Sequence, residues 1–159
     1  MTLVFLVEMS AVLGAIAWHD YSRLKIPNEL TALTLGVIIT FLACETISIG
    51  WADLCFAMAL FIMSTFFWIT GRIGAGDVKL LGVAALPVGL AGGVPFAASL
   101  CALALITAGG YRWMAMAGHQ YPLLWRWAEL ASRGQVPYGV LIALATIISL
   151  VTRYRTGLL

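Results

Sequence analysis

The stretch that decides the fold is Leu80–Tyr111, LLGVAALPVGLAGGVPFAASLCALALITAGGY, which carries no charged residue in 32 positions. As a single helix rising about 1.5 Å per residue it would extend about 48 Å, well beyond the roughly 30 Å hydrocarbon core of a bilayer. Gly92-Gly93-Val94-Pro95 interrupts the run with a strong helix breaker. We therefore predict two membrane spans here, Leu80–Ala91 and Val94–Gly110.

The composition of the whole chain indicates a polytopic membrane protein. Of its 159 residues 62% are hydrophobic and only 10% are charged, whereas about 25% are charged in a typical soluble domain. These values exclude an ordinary soluble domain and a disordered chain, and a net charge of +2 without a basic patch excludes nucleic-acid binding. Four further spans are predicted, Thr2–Trp18, Leu30–Ile49, Leu54–Thr70 and Val136–Thr152. The expected fold is all-α, a single membrane-embedded domain over residues 1–159 with about six transmembrane helices.

The positions of Lys and Arg orient the predicted bundle. With six spans, seven of the nine cations fall in loops on one side, which is therefore expected to be cytoplasmic, with the N-terminus outside. A five-span alternative, with Leu80–Tyr111 as one long helix, gives a weaker division of six against three. No basic residue precedes the first span, so we interpret it as retained rather than as a cleaved signal. The expected location is the cell inner membrane, as a multi-pass protein in contact with lipid.

The last cytoplasmic loop contains a helical pattern of its own. Within Tyr121–Arg133 apolar residues recur at helical spacing, and the charged residues fall on the opposite face. This pattern predicts an amphipathic helix lying in the membrane interface. It would either anchor the bundle or form a surface that holds a membrane-embedded substrate.

The cysteines and histidines do not form a metal-binding pattern. The three cysteines have no CxxC spacing, and neither of the two histidines has a metal-like partner nearby in the sequence. We therefore expect no metal and no cofactor.

The charged residues that adjoin spans concentrate in two polar clusters, HDYSRLKIPN at positions 19–28 and GRIGAGDVKL at positions 71–80. Each cluster contains one aspartate, Asp20 or Asp77, and two complete predicted spans separate them. An even number of crossings returns the chain to the same membrane face, although the two residues are 57 positions apart. Two carboxylates at one depth can perform aspartic proteolysis, because one takes a proton from water while the other donates a hydrogen bond to the scissile carbonyl. Like charges held close resist ionising together, so the pair would share a proton.

Residues around each aspartate fit such a site. Gly74 and Gly76 permit close approach of backbone or substrate, which favours an unwound start of the fourth span that presents Asp77 to an extended peptide. Pro27 would lie in the first turn of the second span, where its missing N–H is tolerated. The Asn28 side chain could pair exposed backbone groups there.

Neighbouring charges leave other interpretations open. Arg23 or Lys79 could favour the anionic form of the carboxylates, and Asp20 beside Arg23 is also typical of a solvated charge pair. Glu8, inside the first span, is not assigned to the site.

The two clusters together resemble the paired motifs of type IV prepilin peptidases, the GxGD group of membrane aspartic proteases. The matching positions are Asp20, Arg23, Ile26, Pro27 and Asn28, followed by Gly74, Gly76, Asp77 and Lys79. A third segment, Pro137-Tyr138-Gly139, resembles a weaker feature of the family. The resemblance implies that Asp20 and Asp77 are catalytic and that the other residues of the two motifs shape the site or contact substrate.

The resemblance also implies a substrate. Family members remove a basic leader ending in glycine from pilin-like precursors, at the cytoplasmic membrane surface just before a hydrophobic helix. The short form resembles the peptidases of tight-adherence (Flp-type) pilus systems, with archaeal preflagellin peptidases as a related alternative. The cysteine-containing N-terminal region of the long bifunctional members has no counterpart here, so N-methylation is not implied.

A non-enzymatic small membrane transporter or a pilus or secretion assembly scaffold is the alternative hypothesis. The two aspartates would then carry ions or only fix the topology. Transport is disfavoured because the charges lie at one rim, whereas transporter sites lie near the bilayer midplane.

Overall fold

The computed structural model describes residues 1–117, 129–130, 132 and 135–157, and within these ranges the chain is helical and contains no strand. The helices are α1 (Thr2–Arg23), α2 (Asn28–Ala43), α3 (Trp51–Ile69), α4 (Ala75–Ala117) and α5 (Tyr138–Arg155). By length and composition α1, α3, α4 and α5 could each cross a membrane, and α2 is a shorter apolar helix. The expected all-α fold is confirmed. The interfacial helix predicted over Tyr121–Arg133 lies largely outside the described residues.

The long uncharged run does not break where the sequence predicted. Its backbone leaves helical geometry at Gly89 (φ 59°, ψ 178°), whereas Gly92, Gly93 and Pro95 lie inside the helix that follows. The backbone conformation at position 89 is one that essentially only glycine adopts. The kink therefore divides α4 into a first leg, residues 75–88, and a second leg, residues 90–117.

Side chains from two other helices satisfy the backbone groups that this kink frees. The Asp53 carboxylate of α3 accepts a hydrogen bond from the Leu90 N–H (2.9 Å). Arg153 Nη1 of α5 donates to the carbonyls of Pro87 (2.7 Å) and Val88 (2.9 Å). An interrupted helix needs such partners because its terminal N–H and C=O groups lack intrahelical ones. These partners explain why the break occurs at Gly89.

The two legs of α4 fold back on each other. Val88 of the first leg and Phe96 of the second share one buried cluster with Ala145 of α5. At the other end of the bundle, the Tyr111 hydroxyl of the second leg donates to the Gln135 carbonyl just before α5 (2.9 Å). The second leg thus returns towards the end of the bundle from which the first leg departs.

A stripe along α1 sets the position of the first aspartate. Phe5, Met9, Leu13 and Ile16 are fully buried and recur every three or four residues, so they form one face of the helix. This face packs against α2 and α5, and the Phe5 ring lies 5.3 Å from the Phe41 ring of α2. Because α1 continues to Arg23, five residues beyond the predicted span, position 20 falls on the same buried stripe.

Candidate active site

Asp20 lies inside the bundle near the C-terminal end of α1. Its side chain is only 5% exposed, and its Oδ2 accepts a hydrogen bond from the Val140 N–H in the first turn of α5 (3.3 Å). The helix ends at Leu24, a left-handed residue (φ 51°), whose N–H donates to the Asp20 carbonyl (2.8 Å). Both the side chain and the backbone of Asp20 are therefore held in place.

Asp77 lies in the first turn of α4 and is 9% exposed. Its Oδ2 accepts a hydrogen bond from the Gly74 N–H (3.2 Å). The predicted unwound start of this segment is wrong, since the helix begins at Ala75, and neither Gly74 nor Gly76 has a positive φ. The carboxylate supplies an acceptor for a free N–H at the helix N-terminus, which allows the helix to start before Asp77.

The structure brings the two aspartates together at one cavity of about 310 Å³. Asp20 lies close enough for its charge to act on the Asp77 carboxyl. The cavity is lined by Asp20, Leu24, Lys25, Ile26, Gly74, Ala75, Gly76 and Asp77. Each carboxylate accepts a backbone hydrogen bond at its Oδ2 and lines the shared cavity, in which a water or a substrate could bind.

Glycines bring three helices close together around the first aspartate. A Cβ at Gly139 of α5 would lie 2.9 Å from both Asp20 Cγ and Ile26 Cδ1. A Cβ at Gly76 of α4 would lie 3.1 Å from Ile26 Cβ. Gly76 therefore allows the close approach that the sequence predicted, and the group that approaches it is the Ile26 side chain. Among the candidate site residues, sequence reasoning omitted Gly139 and Val140, and the Pro137-Tyr138-Gly139 segment was the signal that could have found them.

Pro27 and Asn28 are placed differently from the prediction. Pro27 is the N-cap of α2 rather than a residue of its first turn, and Asn28 is the first helical residue. No side chain caps this helix end. Asn28 Oδ1 instead accepts a hydrogen bond from Lys79 Nζ of α4 (3.0 Å). The two polar clusters are therefore joined by a bond between side chains of α2 and α4.

Arg23 lines a neighbouring cavity of about 350 Å³ together with His19 and Lys25, and it does not line the cavity of the aspartates. Within the described part of the chain neither aspartate forms an ion pair. Their electrostatic setting comes instead from burial, which disfavours two charges, and from the helix N-termini of α4 and α5, which favour an anion.

Metal binding has no evident location at this site. Across the described ranges, no three His, Cys, Asp or Glu side chains come close enough to hold an ion. The three cysteines are free and exposed.

Comparison with known proteins places the chain in a family. Neither a curated protein nor a solved structure matches it. Residues 8–110 match the type IV leader peptidase family, over a segment that contains both aspartates and well over half of the chain. The chain therefore belongs to the type IV leader peptidase family, whose members are proteases.

Proposed function

We propose that the protein is a membrane aspartic endopeptidase that removes the N-terminal leader from Flp-like type IV prepilins at the cytoplasmic face of the inner membrane. The observation that carries the proposal is that Asp20 and Asp77, which are 57 positions apart in the sequence, line one cavity. Membership of the leader peptidase family supports proteolysis and the class of substrate.

The chemistry requires one ionised and one protonated carboxyl. The ionised carboxylate takes a proton from water as the water oxygen bonds to the scissile carbonyl carbon, while the protonated partner donates a hydrogen bond to the carbonyl oxygen. The C–N bond then breaks, and the leaving amine takes up the proton that the carboxylate removed from the water. Burial of both side chains supports a single shared negative charge. In each case a backbone N–H donates to Oδ2 and holds the carboxylate in place at the cavity.

The proposal also places the two aspartates relative to the membrane. With the N-terminus outside and the two legs of α4 as separate crossings, both aspartates lie at the cytoplasmic end of a six-span bundle. The neighbouring cations Arg23, Lys25 and Lys79 support this orientation. The apolar helix of the precursor would then remain in the bilayer while its junction with the leader enters the cavity.

Co-expression with a Flp-type prepilin tests the proposal. Leader removal is scored by the mobility of the pilin on a gel, for the wild type and for Asp20→Asn and Asp77→Asn. Both variants should insert into the membrane and leave the precursor uncleaved, because each amide removes one carboxyl of the pair. Glu29→Gln, which neutralises an exposed carboxylate near the start of α2, is the matched control and should cleave normally. Normal cleavage by either aspartate variant would overturn the proposal.

A further inference from the structure

A groove on the side of the bundle opens between α2 and α3. The helix α2 packs on α1 and α4, and α3 packs on α4, whereas no Cα atom of α2 lies within 8 Å of a Cα atom of α3, both helices being fully described. The gap between them is a cavity of about 760 Å³ whose floor is the first leg of α4. Its walls are almost entirely apolar side chains, and Asn28, Thr31 and Lys79 lie together at one end.

The residues that line the groove follow helical spacing. On α2 they include Thr31, Ala32 and Leu35, and on the first leg of α4 they include Gly82, Val83 and Leu86. On α3 the lining extends from Trp51 to Phe61, which is about 15 Å at 1.5 Å per residue. The groove therefore presents three helical faces over a length that accommodates about three turns of a further helix.

Small residues make the groove suitable for a helix. Ala32 and Ala57 line opposite walls, and Gly82 forms part of the floor. The glycine at position 82 also lets the Phe61 ring of α3 lie against α4, since a Cβ there would be 2.8 Å from this ring. The room for a further helix is therefore given by Ala32 and Ala57. Close helix–helix packing in membranes depends on such small residues, because the backbones can then approach.

One end of the groove lies near the catalytic cavity, because the neighbouring cavity of about 350 Å³ shares Asn28 with the groove and Lys25 and Ile26 with the catalytic cavity. Asn28 and Lys79, which are hydrogen-bonded to each other, line the groove. Each lies two positions after a residue of the catalytic cavity, Ile26 or Asp77. A helix seated in the groove would therefore end beside the two aspartates.

We propose that this groove binds the first turns of the apolar helix of the precursor, with the leader junction passing Asn28 and Lys79 to the aspartates. The proposal rests on the proposed function and adds the surface that holds the substrate. The cavity that adjoins both the groove and the catalytic cavity favours this occupant over a lipid chain or a second copy of the protein, since only the precursor must reach both surfaces at once.

Native cysteines allow a direct test. Cys55 lines the groove, whereas Cys101 is exposed on the second leg of α4 and does not line it. Two forms of the enzyme each keep one of these thiols, with the other cysteines changed to serine. The substrate is a set of Flp-type prepilin variants, each with one cysteine at a different position along the first three turns of its apolar helix. Copper phenanthroline oxidises close thiol pairs in isolated membranes, and leader cleavage is scored in the same samples.

The form that keeps Cys55 should form disulfides with prepilin positions three or four residues apart, and the form that keeps Cys101 should not. Leader cleavage without a Cys55 cross-link, or equal cross-linking of the two forms, would overturn the groove as the substrate site. Exclusive disulfides between two Cys55 thiols would also overturn it, in favour of a dimer interface. Absence of cleavage by the wild type would instead refute the proposed function.

A groove-filling variant supplies an independent measurement. Ala32→Trp should raise the KM for the precursor at least about tenfold, because the indole occupies the space of the substrate helix. Leu33→Trp, at the adjacent exposed position outside the groove, is the matched control and should leave KM unchanged. Equal KM values for the two variants, at equal thermal stability, would contradict the proposal.

Discussion

Gly139 lies directly against the Asp20 carboxylate, and a Cβ at this glycine would be 2.9 Å from both Cγ and Oδ2 of the aspartate. The absence of a side chain lets the first turn of α5 approach α1 closely enough for the Val140 N–H to reach Oδ2. Asp20 is therefore positioned by a helix that begins 118 residues further along the chain.

Gly139→Ala should displace the Asp20 carboxylate, because a Cβ at 2.9 Å is closer than ordinary packing allows. We expect kcat for leader cleavage to fall by about 10- to 100-fold, as for misplacements of about 1 Å at other catalytic groups. KM should change little, since the substrate groove is not altered. The measurement is the rate of leader removal at several precursor concentrations.

Gly36→Ala provides the control for this glycine. Its Cβ would meet nothing within 4 Å, so cleavage should proceed at the wild-type rate. If Gly139→Ala also cleaves at that rate, the close approach of α5 is not needed for catalysis.

The Lys79–Asn28 hydrogen bond joins the two polar clusters and can be measured as a coupling energy. Since both side chains are exposed, the net contribution expected for the bond is about 0.5–1.5 kcal/mol. Lys79→Ala and Asn28→Ala should each lower stability, and the double variant should be less destabilised than the sum. Unfolding of all four proteins in detergent gives the coupling term. Strict additivity would show that the bond does not contribute.

Much of the candidate site could be predicted from the sequence because the chain has so few charged residues. In a chain with 10% charged residues, an aspartate beside an apolar span stands out, and counting spans relates Asp20 to Asp77 without any tertiary information. The buried stripe that ends at Asp20 was also visible in principle, since Leu13 and Ile16 precede it at helical spacing.

The parts that could not be predicted depend on distant partners. Glycine and proline at positions 92–95 are the stronger local breaker, yet the kink occurs at Gly89 because Asp53 and Arg153 supply hydrogen bonds there. Asn28 was expected to serve its own helix end, but Lys79 of another helix takes its side-chain oxygen. Sequence spacing shows which groups need partners, but it does not show which partner tertiary packing brings near.

Gly89→Ala should destabilise the fold strongly. Alanine in this backbone region costs about 1–3 kcal/mol, and its Cβ would also overlap the Asp53 carboxylate. The expected result is a lower Tm in detergent. Gly14→Ala in α1, whose Cβ would meet nothing within 4 Å, should instead be neutral or stabilise by up to about 1 kcal/mol. An unchanged Tm for Gly89→Ala would mean that the kink does not need glycine.

Asp53 links two helix starts at the end of the bundle away from the aspartates, and its removal should weaken the fold without altering the chemistry. Its two oxygens accept hydrogen bonds from the N–H groups of Gly50 (3.0 Å) and Leu90 (2.9 Å). Asp53→Ala leaves both donors without this partner and should cost about 1–3 kcal/mol. Asp53→Asn, which retains one acceptor oxygen, should cost less.

For both Asp53 variants, leader cleavage below the unfolding temperature should match the wild type, because the kink they support lies at the far end of α4 from Asp77. Tm and cleavage rate measured on the same preparations separate the two effects. Reduced cleavage by Asp53→Ala at an unchanged Tm would contradict this and show that the kink sets the position of the first leg at the active site.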